Sequence, residues 1–178
     1  LAICIAALAV AITLARRVFA LPPHAGRIDT VALPPAGRGA LAHSLAKQGA
    51  DHRELTGITP LGRGGDAFAA RFLLTNAAVS SIDLQYYIWR ADMTGHMLLD
   101  ALRRAADRGV RVRLLLDDNG IRGLDDVLAA LDAHDNIEVR LYNPFNLRRF
   151  KLLSFGFDFF RLNRRMHNKS FTVDGRVS

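Results

Sequence analysis

The chain is poor in cysteine and lysine. Its single thiol, Cys4 among 178 residues, excludes an internal disulfide and any zinc site built from several cysteines. Only three of the 24 basic side chains are lysines. The fold must therefore rest on a packed core, which a 50% hydrophobic content can supply. The sequence contains no metal-ligand pattern and no cofactor motif, so we expect neither a metal nor a cofactor.

Acidic residues are also too few to balance the basic ones. The 17 acids leave a formal net charge of +7. Such an excess favours polyanionic partners, either nucleic acid or an anionic lipid surface. Charge alone does not choose between these two.

The first 14 residues lack any charge and are followed by Arg16 and Arg17. We interpret residues 1–20 as a transmembrane or signal-like segment, although spanning a bilayer takes roughly 20 apolar residues. A buried soluble helix is the alternative. The segment predicts association with a bacterial cell membrane, with its sidedness unassigned. Because the chain begins with Leu1 rather than Met, we interpret it as part of a longer protein.

Residues 21–58 contain two Pro-Pro pairs and several glycines, which predicts a linker with a short helix near residues 41–48. A folded domain is expected over residues 59–178, opening with a helix that has Asp66 as its N-cap. Periodicity then predicts strands at 81–89, 110–116, 137–142 and 167–173, with helices at 94–106 and 124–133. This alternation is typical of an α/β fold. The apolar run of the second strand predicts a strand covered on both faces.

A basic aromatic segment occupies residues 143–166. It combines one acid with six basic residues and six phenylalanines (Arg148, Arg149, Lys151, Arg161, Arg164, Arg165; Phe145, Phe150, Phe155, Phe157, Phe159, Phe160). One interpretation is a patch that binds the membrane interface. The other is a loop that covers the core with its phenylalanines and leaves its arginines in solvent.

The chemistry-bearing pattern is His-x-Lys-x4-Asp, formed by His167, Lys169 and Asp174. On a strand, His167 and Lys169 share a face with Cβ atoms roughly 6 to 7 Å apart, so both can reach one phosphate. Imidazole supplies a nucleophile ionisable near neutrality, and the ammonium neutralises phosphate oxygens. We assign catalysis to these three residues and substrate binding to Lys169 and its neighbours (Asn168, Ser170, Arg164, Arg165).

Two acidic positions have weaker assignments. Asp174 has the opposite parity to His167 and lies at a predicted tight turn with Gly175, so it is a supporting residue that positions the turn or reaches another catalytic group. Asp117-Asp118 ends the second strand. A carboxylate there could orient His167 or bind an alcohol, but a turn and cap before Gly120 is the favoured interpretation.

Three segments together, SIDLQYYIW at 81–89, RGVRVRLLLDDNG at 108–120 and MHNKSFTVDG at 166–175, resemble the phospholipase D superfamily and, within it, bacterial cardiolipin synthase-like proteins. The resemblance covers roughly residues 60–178. It implies an α/β/α sandwich and an active site built from two His-x-Lys-x4-Asp motifs. One histidine would form a phosphohistidine and the other would protonate the leaving alcohol, with His167 in either role.

None of the other five histidines has a lysine two positions later, so the chain carries one half-site. We expect the second motif from a C-terminal remainder or a second subunit. The resulting hypothesis is a membrane-associated phosphatidyltransferase acting on anionic phospholipids such as phosphatidylglycerol. The alternatives are a phospholipase D-like hydrolase or a single-motif nuclease working as a dimer, and an inactive half-site or membrane-binding module. Nucleic acid is the less favoured partner.

Overall fold

The computed structural model describes residues 1–23, 26, 28–52 and 54–178. The predicted linker over 21–58 therefore contains four positions outside the described residues. The helices are α1 Ala2–Val18, α2 Gly39–Gln48, α3 Gly64–Ala77, α4 Met93–Asp107, α5 Asp125–Asp132 and α6 Lys151–Leu162; the strands are β1 Ser81–Tyr86, β2 Arg111–Asp117, β3 Ile137–Tyr142 and β4 Lys169–Val173. The α/β alternation is confirmed.

The four strands form one sheet in the order β3-β2-β1-β4. β1 pairs in parallel with β2, and β2 in parallel with β3. β4 lies antiparallel to β1, with Tyr86 opposite Lys169 and Ile82 opposite Val173. The chain just before β4 is therefore brought to the end of the sheet where β1 and β2 finish.

One face of the sheet packs against helices and forms the core. Apolar side chains from all four strands and from α4 and α5 join one buried cluster that includes Ile82, Leu114, Leu102 and Phe171. Full burial of such a side chain stabilises the fold by about 1.5–3 kcal/mol. This cluster is therefore what fixes the position of the strand ends.

The opposite face of the sheet is polar. Asp83 of β1 forms an ion pair with Arg113 of β2, and Arg113 also donates to the carbonyl oxygen of Thr30 at 3.1 Å. Within the described residues this face is crossed by extended chain around Thr30, whereas the helices of the core contact the other face. The predicted full cover of β2 on both faces is thus corrected, because charged residues alternate with the apolar ones along this strand. The three-layer sandwich stays a prediction.

The N-terminal segment is helical, as its composition predicted, but all 17 residues of α1 are at least partly exposed. Its C-terminal end contacts α6: the ring centroids of Phe19 and Phe157 lie 5.9 Å apart, and Arg16 Nε donates to the Phe157 carbonyl oxygen at 2.6 Å. Across the described part of the chain, no helix combines the length and the apolar character needed to cross a membrane.

Two local predictions are corrected. α3 begins at Gly64 with Arg63 at its N-cap, so Asp66 lies in the first turn of the helix rather than at the cap. The basic aromatic segment is also not a loop throughout, because residues 151–162 form α6, which is interrupted by non-helical backbone at Asp158. The short helix predicted near 41–48 is confirmed as α2.

Candidate active site

β4 begins at Lys169, so His167 and Asn168 precede the strand rather than belonging to it. This corrects the predicted start at residue 167. His167, Asn168 and Lys169 are all exposed. The motif therefore starts on an accessible connection that enters the sheet beside the end of β1.

Tyr87, the first residue after β1, brings the histidine and the lysine together. Its ring meets the His167 ring edge to face at a centroid distance of 4.6 Å. Lys169 Nζ lies 5.9 Å from the centroid of the same ring, and it donates to the His167 carbonyl oxygen at 3.3 Å. An imidazole and an ammonium thus share one aromatic support, in which the ring contacts restrict both side chains.

The residues between and after this pair have different surroundings. Asn168 Nδ2 donates to Gln85 Oε1 at 2.9 Å, which ties the segment before β4 to the side chains of β1. Ser170 is half-buried and lies opposite Gln85 in the antiparallel register. Asn168 is therefore the more accessible of the two predicted substrate-binding residues.

Asp174 lies at the far end of β4, roughly 16 Å from Lys169 at about 3.3 Å per residue. It is 1% exposed. Its carboxylate accepts hydrogen bonds from the backbone N–H groups of Val79, Ser80 and Ser81. The distance from Ser80 N to Asp174 Oδ1 is 2.8 Å. The third residue of the motif therefore holds the entry to β1, and the structure does not bring it to His167.

Asp174 also occupies a left-handed backbone conformation (φ 54°), followed by Gly175 (φ 61°). Two positive φ values suit a tight turn between antiparallel strands. Val177 returns to pair with Val173 in a single bridge. The turn predicted from Asp174-Gly175 is confirmed.

Asp117 supports the segment that leads into His167. Fully buried at the end of β2, it accepts from Met166 N–H at 2.9 Å, Arg165 Nη1 at 2.8 Å and Asn119 N–H at 2.9 Å. The hydrogen bond from Asn119 N–H is the contact that the turn-and-cap interpretation predicts. The hydrogen bond from Met166 N–H anchors the residue adjacent to His167, so this carboxylate both caps the turn and fixes the backbone of the site.

Asp118 is likewise fully buried. It accepts from Phe145 N–H at 2.7 Å and forms ion pairs with Arg148 and Lys151. Arg161 is held by Asp158, Asn143 and Asn146. These contacts, with that of Arg165, tie four of the six basic side chains in the aromatic segment to the protein itself.

Arg164 and Arg165 were both predicted to bind substrate, and their surroundings differ. The Arg165 side chain is 12% exposed, paired with Asp117, and its guanidinium lies 4.9 Å from the centroid of the Phe145 ring. Arg164 is exposed. Of the two, only Arg164 presents a guanidinium to solvent near the motif.

Tyr87 and Gln85 were not singled out from the sequence as site residues. The available signal was the pairing of the two segments: a strand that ends in adjacent tyrosines, beside a strand that begins with the motif. Periodicity cannot give the register between strands, and the contacts depend on that register. No group of three or more His, Cys, Asp or Glu side chains suited to a metal occurs in the part of the chain that the structure describes.

Comparison with known proteins places these residues in a family context. The profile of the family described as "Cardiolipin synthase, PLD-like domain" matches residues 73–178. Cardiolipin synthase C of Escherichia coli (strain K12) is 55% identical over 138 residues, which are 78% of this chain and 29% of that protein. The major cardiolipin synthase ClsA of Bacillus subtilis (strain 168) is 35% identical over 112 residues, 63% of this chain and 22% of that protein.

The chain thus spans less than a third of the length of these curated relatives. Among solved structures, NucT from Helicobacter pylori overlaps with a TM-score of 0.38 and 20% identity, covering 44% of this chain and 47% of that one. An overlap of that extent supports no argument about fold or function.

Proposed function

Because the chain belongs to the cardiolipin synthase family of phospholipase D-like domains, we propose that the full-length protein is a phosphatidyltransferase and that His167 and Lys169 form half of its active site. The observation that carries this proposal is the convergence of the two side chains on the Tyr87 ring at an exposed end of the sheet. An accessible imidazole beside a cation is what attack on a phosphodiester requires.

In the proposed first step, a histidine nitrogen attacks the lipid phosphorus and a P–N bond forms. The P–O bond to the head-group alcohol breaks, and the histidine of the second half-site protonates the departing oxygen. The hydroxyl oxygen of an acceptor lipid then attacks the phosphohistidine: a P–O bond forms, the P–N bond breaks, and the hydroxyl proton passes to the second histidine. The new phosphodiester leaves both histidines in their starting state. His167 takes one of the two histidine roles, and Lys169 balances the charge on the phosphate oxygens.

The other predicted site residues have separate proposed roles. Asn168 and Arg164 are exposed near the motif, which supports contacts with the lipid phosphate, and Ser170 lies beside them. Arg165 supports the site from within through Asp117. Asp174 supports it by holding β4 against the start of β1.

We further propose that the protein is associated with the bacterial cell membrane and takes anionic phospholipids as substrates. In support, α6 exposes Leu152, Leu153, Phe159 and Phe160 on the helix that α1 also contacts. Arg149 and Arg164 are exposed at the borders of this surface. Apolar side chains with a few basic neighbours suit the interface of an anionic bilayer, where each basic residue contributes about 1 kcal/mol.

The test uses the full-length protein and vesicles that contain phosphatidylglycerol. We expect His167→Ala and Lys169→Ala each to lower cardiolipin formation at least about a thousandfold, because each removes a group that acts only in the reaction. His96→Ala, an exposed histidine on α4, serves as the matched control. Cardiolipin formation at the wild-type rate in the His167 variant would overturn the proposal.

A donor with an activated leaving group, such as a p-nitrophenyl phosphodiester, then separates the two histidine roles. Such a leaving group departs without a proton. If His167 is the general acid, its alanine variant regains most of its activity on this donor. If His167 is the nucleophile, the variant stays inactive and forms no phosphohistidine.

A further inference from the structure

A cleft of about 360 Å³ lies beside the candidate site, between the chain that follows β1 and the turn that follows β2. One of its walls is Tyr87, whose ring contacts His167. Its volume falls within the range of roughly 300–1,000 Å³ typical of small-molecule sites. The cleft and the His167–Lys169 pair therefore share a wall.

The backbone around this cleft is closely packed. Trp89 N–H donates to the Gly120 carbonyl oxygen at 3.0 Å. A Cβ atom at Gly120 would lie 1.8 Å from the Tyr87 carbonyl oxygen, and one at Gly95 would lie 2.0 Å from that of Arg90. The approach at Gly120 joins the turn after β2 to the chain after β1, so the two sides of the cleft are held together before any ligand binds. The approach at Gly95 restricts only the backbone of Arg90.

The cleft is lined by two guanidinium groups and an amide: those of Arg90, Arg122 and Asn119. Both arginines are exposed, and within the described residues neither donates a hydrogen bond nor forms an ion pair. The nearby acid Asp92 is engaged as the N-cap of α4, where it accepts from Gly95 N–H at 2.9 Å and from the Thr94 hydroxyl at 2.7 Å. These two hydrogen bonds are the main causes that lower the pKa of Asp92, and the charge of Arg90 contributes least. The cleft is thus cationic, and its donors are available to an anion.

We propose that this cleft binds the phosphate of the acceptor, an alcohol that carries its own phosphate group. The inference rests on the proposed function and adds an acceptor site to it. Arginine forms paired, charge-assisted hydrogen bonds with phosphate. With the acceptor phosphate held by Arg90 and Arg122, its glycerol hydroxyl reaches past Tyr87 toward the phosphohistidine.

The proposed step is balanced within the active site. The acceptor oxygen forms a P–O bond while the P–N bond to the histidine breaks, and the hydroxyl proton passes to the histidine that is not phosphorylated. Water competes for the same intermediate. Binding through the acceptor phosphate raises the local concentration of the correct hydroxyl, so it favours transfer over hydrolysis.

The experiment compares two labelled soluble acceptors, glycerol and glycerol 1-phosphate, with phosphatidylglycerol in mixed micelles as the donor and the full-length protein as the enzyme. We expect Arg90→Gln and Arg122→Gln each to raise the KM for glycerol 1-phosphate about tenfold, the usual effect of losing a charge-assisted hydrogen bond. The KM for glycerol rises several times less. Arg104→Gln, which removes the same charge from the exposed face of α4, is the matched control.

Other outcomes of this experiment would contradict a specific part of the proposal. If the arginine variants weaken both acceptors equally, or leave the KM for glycerol 1-phosphate unchanged, the acceptor site is wrong while the transferase proposal stands. If the wild-type protein forms cardiolipin but transfers no better to glycerol 1-phosphate than to glycerol, the acceptor site is wrong and the proposed function stands. If it forms no cardiolipin in the same micelles, the proposed function fails and the acceptor site fails with it. The ratio of transfer to hydrolysis, followed in the same reactions, falls in both variants if the cleft holds the acceptor.

Discussion

The residues around the motif divide into two regions with opposite properties. The frame, Asp117 and Asp174, is buried, acidic and saturated with backbone donors. The tip, His167 and Lys169, is exposed and basic and rests on one aromatic ring. A motif written as three residues in sequence is therefore split by the fold, with its acid in the frame and its two basic residues in the tip.

This difference separates what holds the site from what can act on a substrate. Removing a buried carboxylate that accepts from several N–H groups lowers the free energy of unfolding, because each N–H group is left without a partner. An exposed side chain can be replaced with little effect on folding. We therefore expect substitutions in the frame to alter stability and those in the tip to alter turnover.

Asp174→Ala is expected to have the largest effect on stability. It leaves three backbone N–H groups without their acceptor, that of Ser81 buried and those of Val79 and Ser80 partly buried, which costs about 3 kcal/mol or more in free energy of unfolding. Asp174→Asn should cost less, because asparagine tolerates the positive φ and keeps one acceptor oxygen. Denaturant unfolding measures both, with the exposed Asp135→Ala as control. Equal stability of Asp174→Ala and the control would remove Asp174 from the frame.

Asp117→Asn tests the hydrogen bonds by which the frame holds the residues that precede His167. The amide cannot accept from both Met166 N–H and Arg165, so the chain before His167 loses one anchor. We expect kcat for cardiolipin formation to fall about tenfold or more, with KM changed little, because misplacement of a reacting group penalises the chemical step. The control is Asp126→Asn, an exposed acid on α5. A rise in KM at constant kcat would instead show that Asp117 acts on binding.

Tyr87→Leu tests the ring that supports the tip. Aromatic contacts of this kind contribute about 0.5–1.5 kcal/mol, so we expect kcat with glycerol as acceptor to fall roughly three- to tenfold. Tyr87→Phe keeps the ring and should stay close to wild type. If kcat falls as much in the phenylalanine variant as in the leucine variant, the Tyr87 hydroxyl rather than its ring causes the loss. The proposed support of His167 by the ring is then wrong.

The sequence predicts the tip better than the frame, for a physical reason. His167 and Lys169 lie two positions apart, so the sequence alone keeps them close, although the contact of both with Tyr87 depends on the sheet. Apart from Asn119, which the turn after β2 places beside Asp117, the partners of Asp117 and Asp174 lie tens of residues away in the chain, and only the sheet order brings them close. The alternation of strands and helices follows from periodicity, whereas α6 was missed because phenylalanines cover both its buried and its exposed sides.

The smallest expected effect concerns a carboxylate outside the frame, on the polar face of the sheet. Burial raises the pKa of Glu138, but the hydrogen bond from the Thr30 hydroxyl and the neighbouring Arg140 outweigh it, so the pKa lies below its ordinary value. A lowered folded-state pKa stabilises the protein above the unfolded pKa of about 4.3, and this contribution is lost as pH falls through the folded value.

Thr30→Val removes the hydroxyl donor, at 2.8 Å from Glu138 Oε2, and so raises the pKa of Glu138. We expect the variant to be about 0.5 kcal/mol less stable at neutral pH, with the difference shrinking as the pH falls below about 4 because Glu138 is then protonated in both proteins. Unfolding curves over this pH range measure the change. The Glu138 side chain is 24% exposed, whereas Asp174 is 1% exposed. A loss of stability as large as that of Asp174→Ala would therefore mean that burial does not separate the frame from other carboxylates of the sheet.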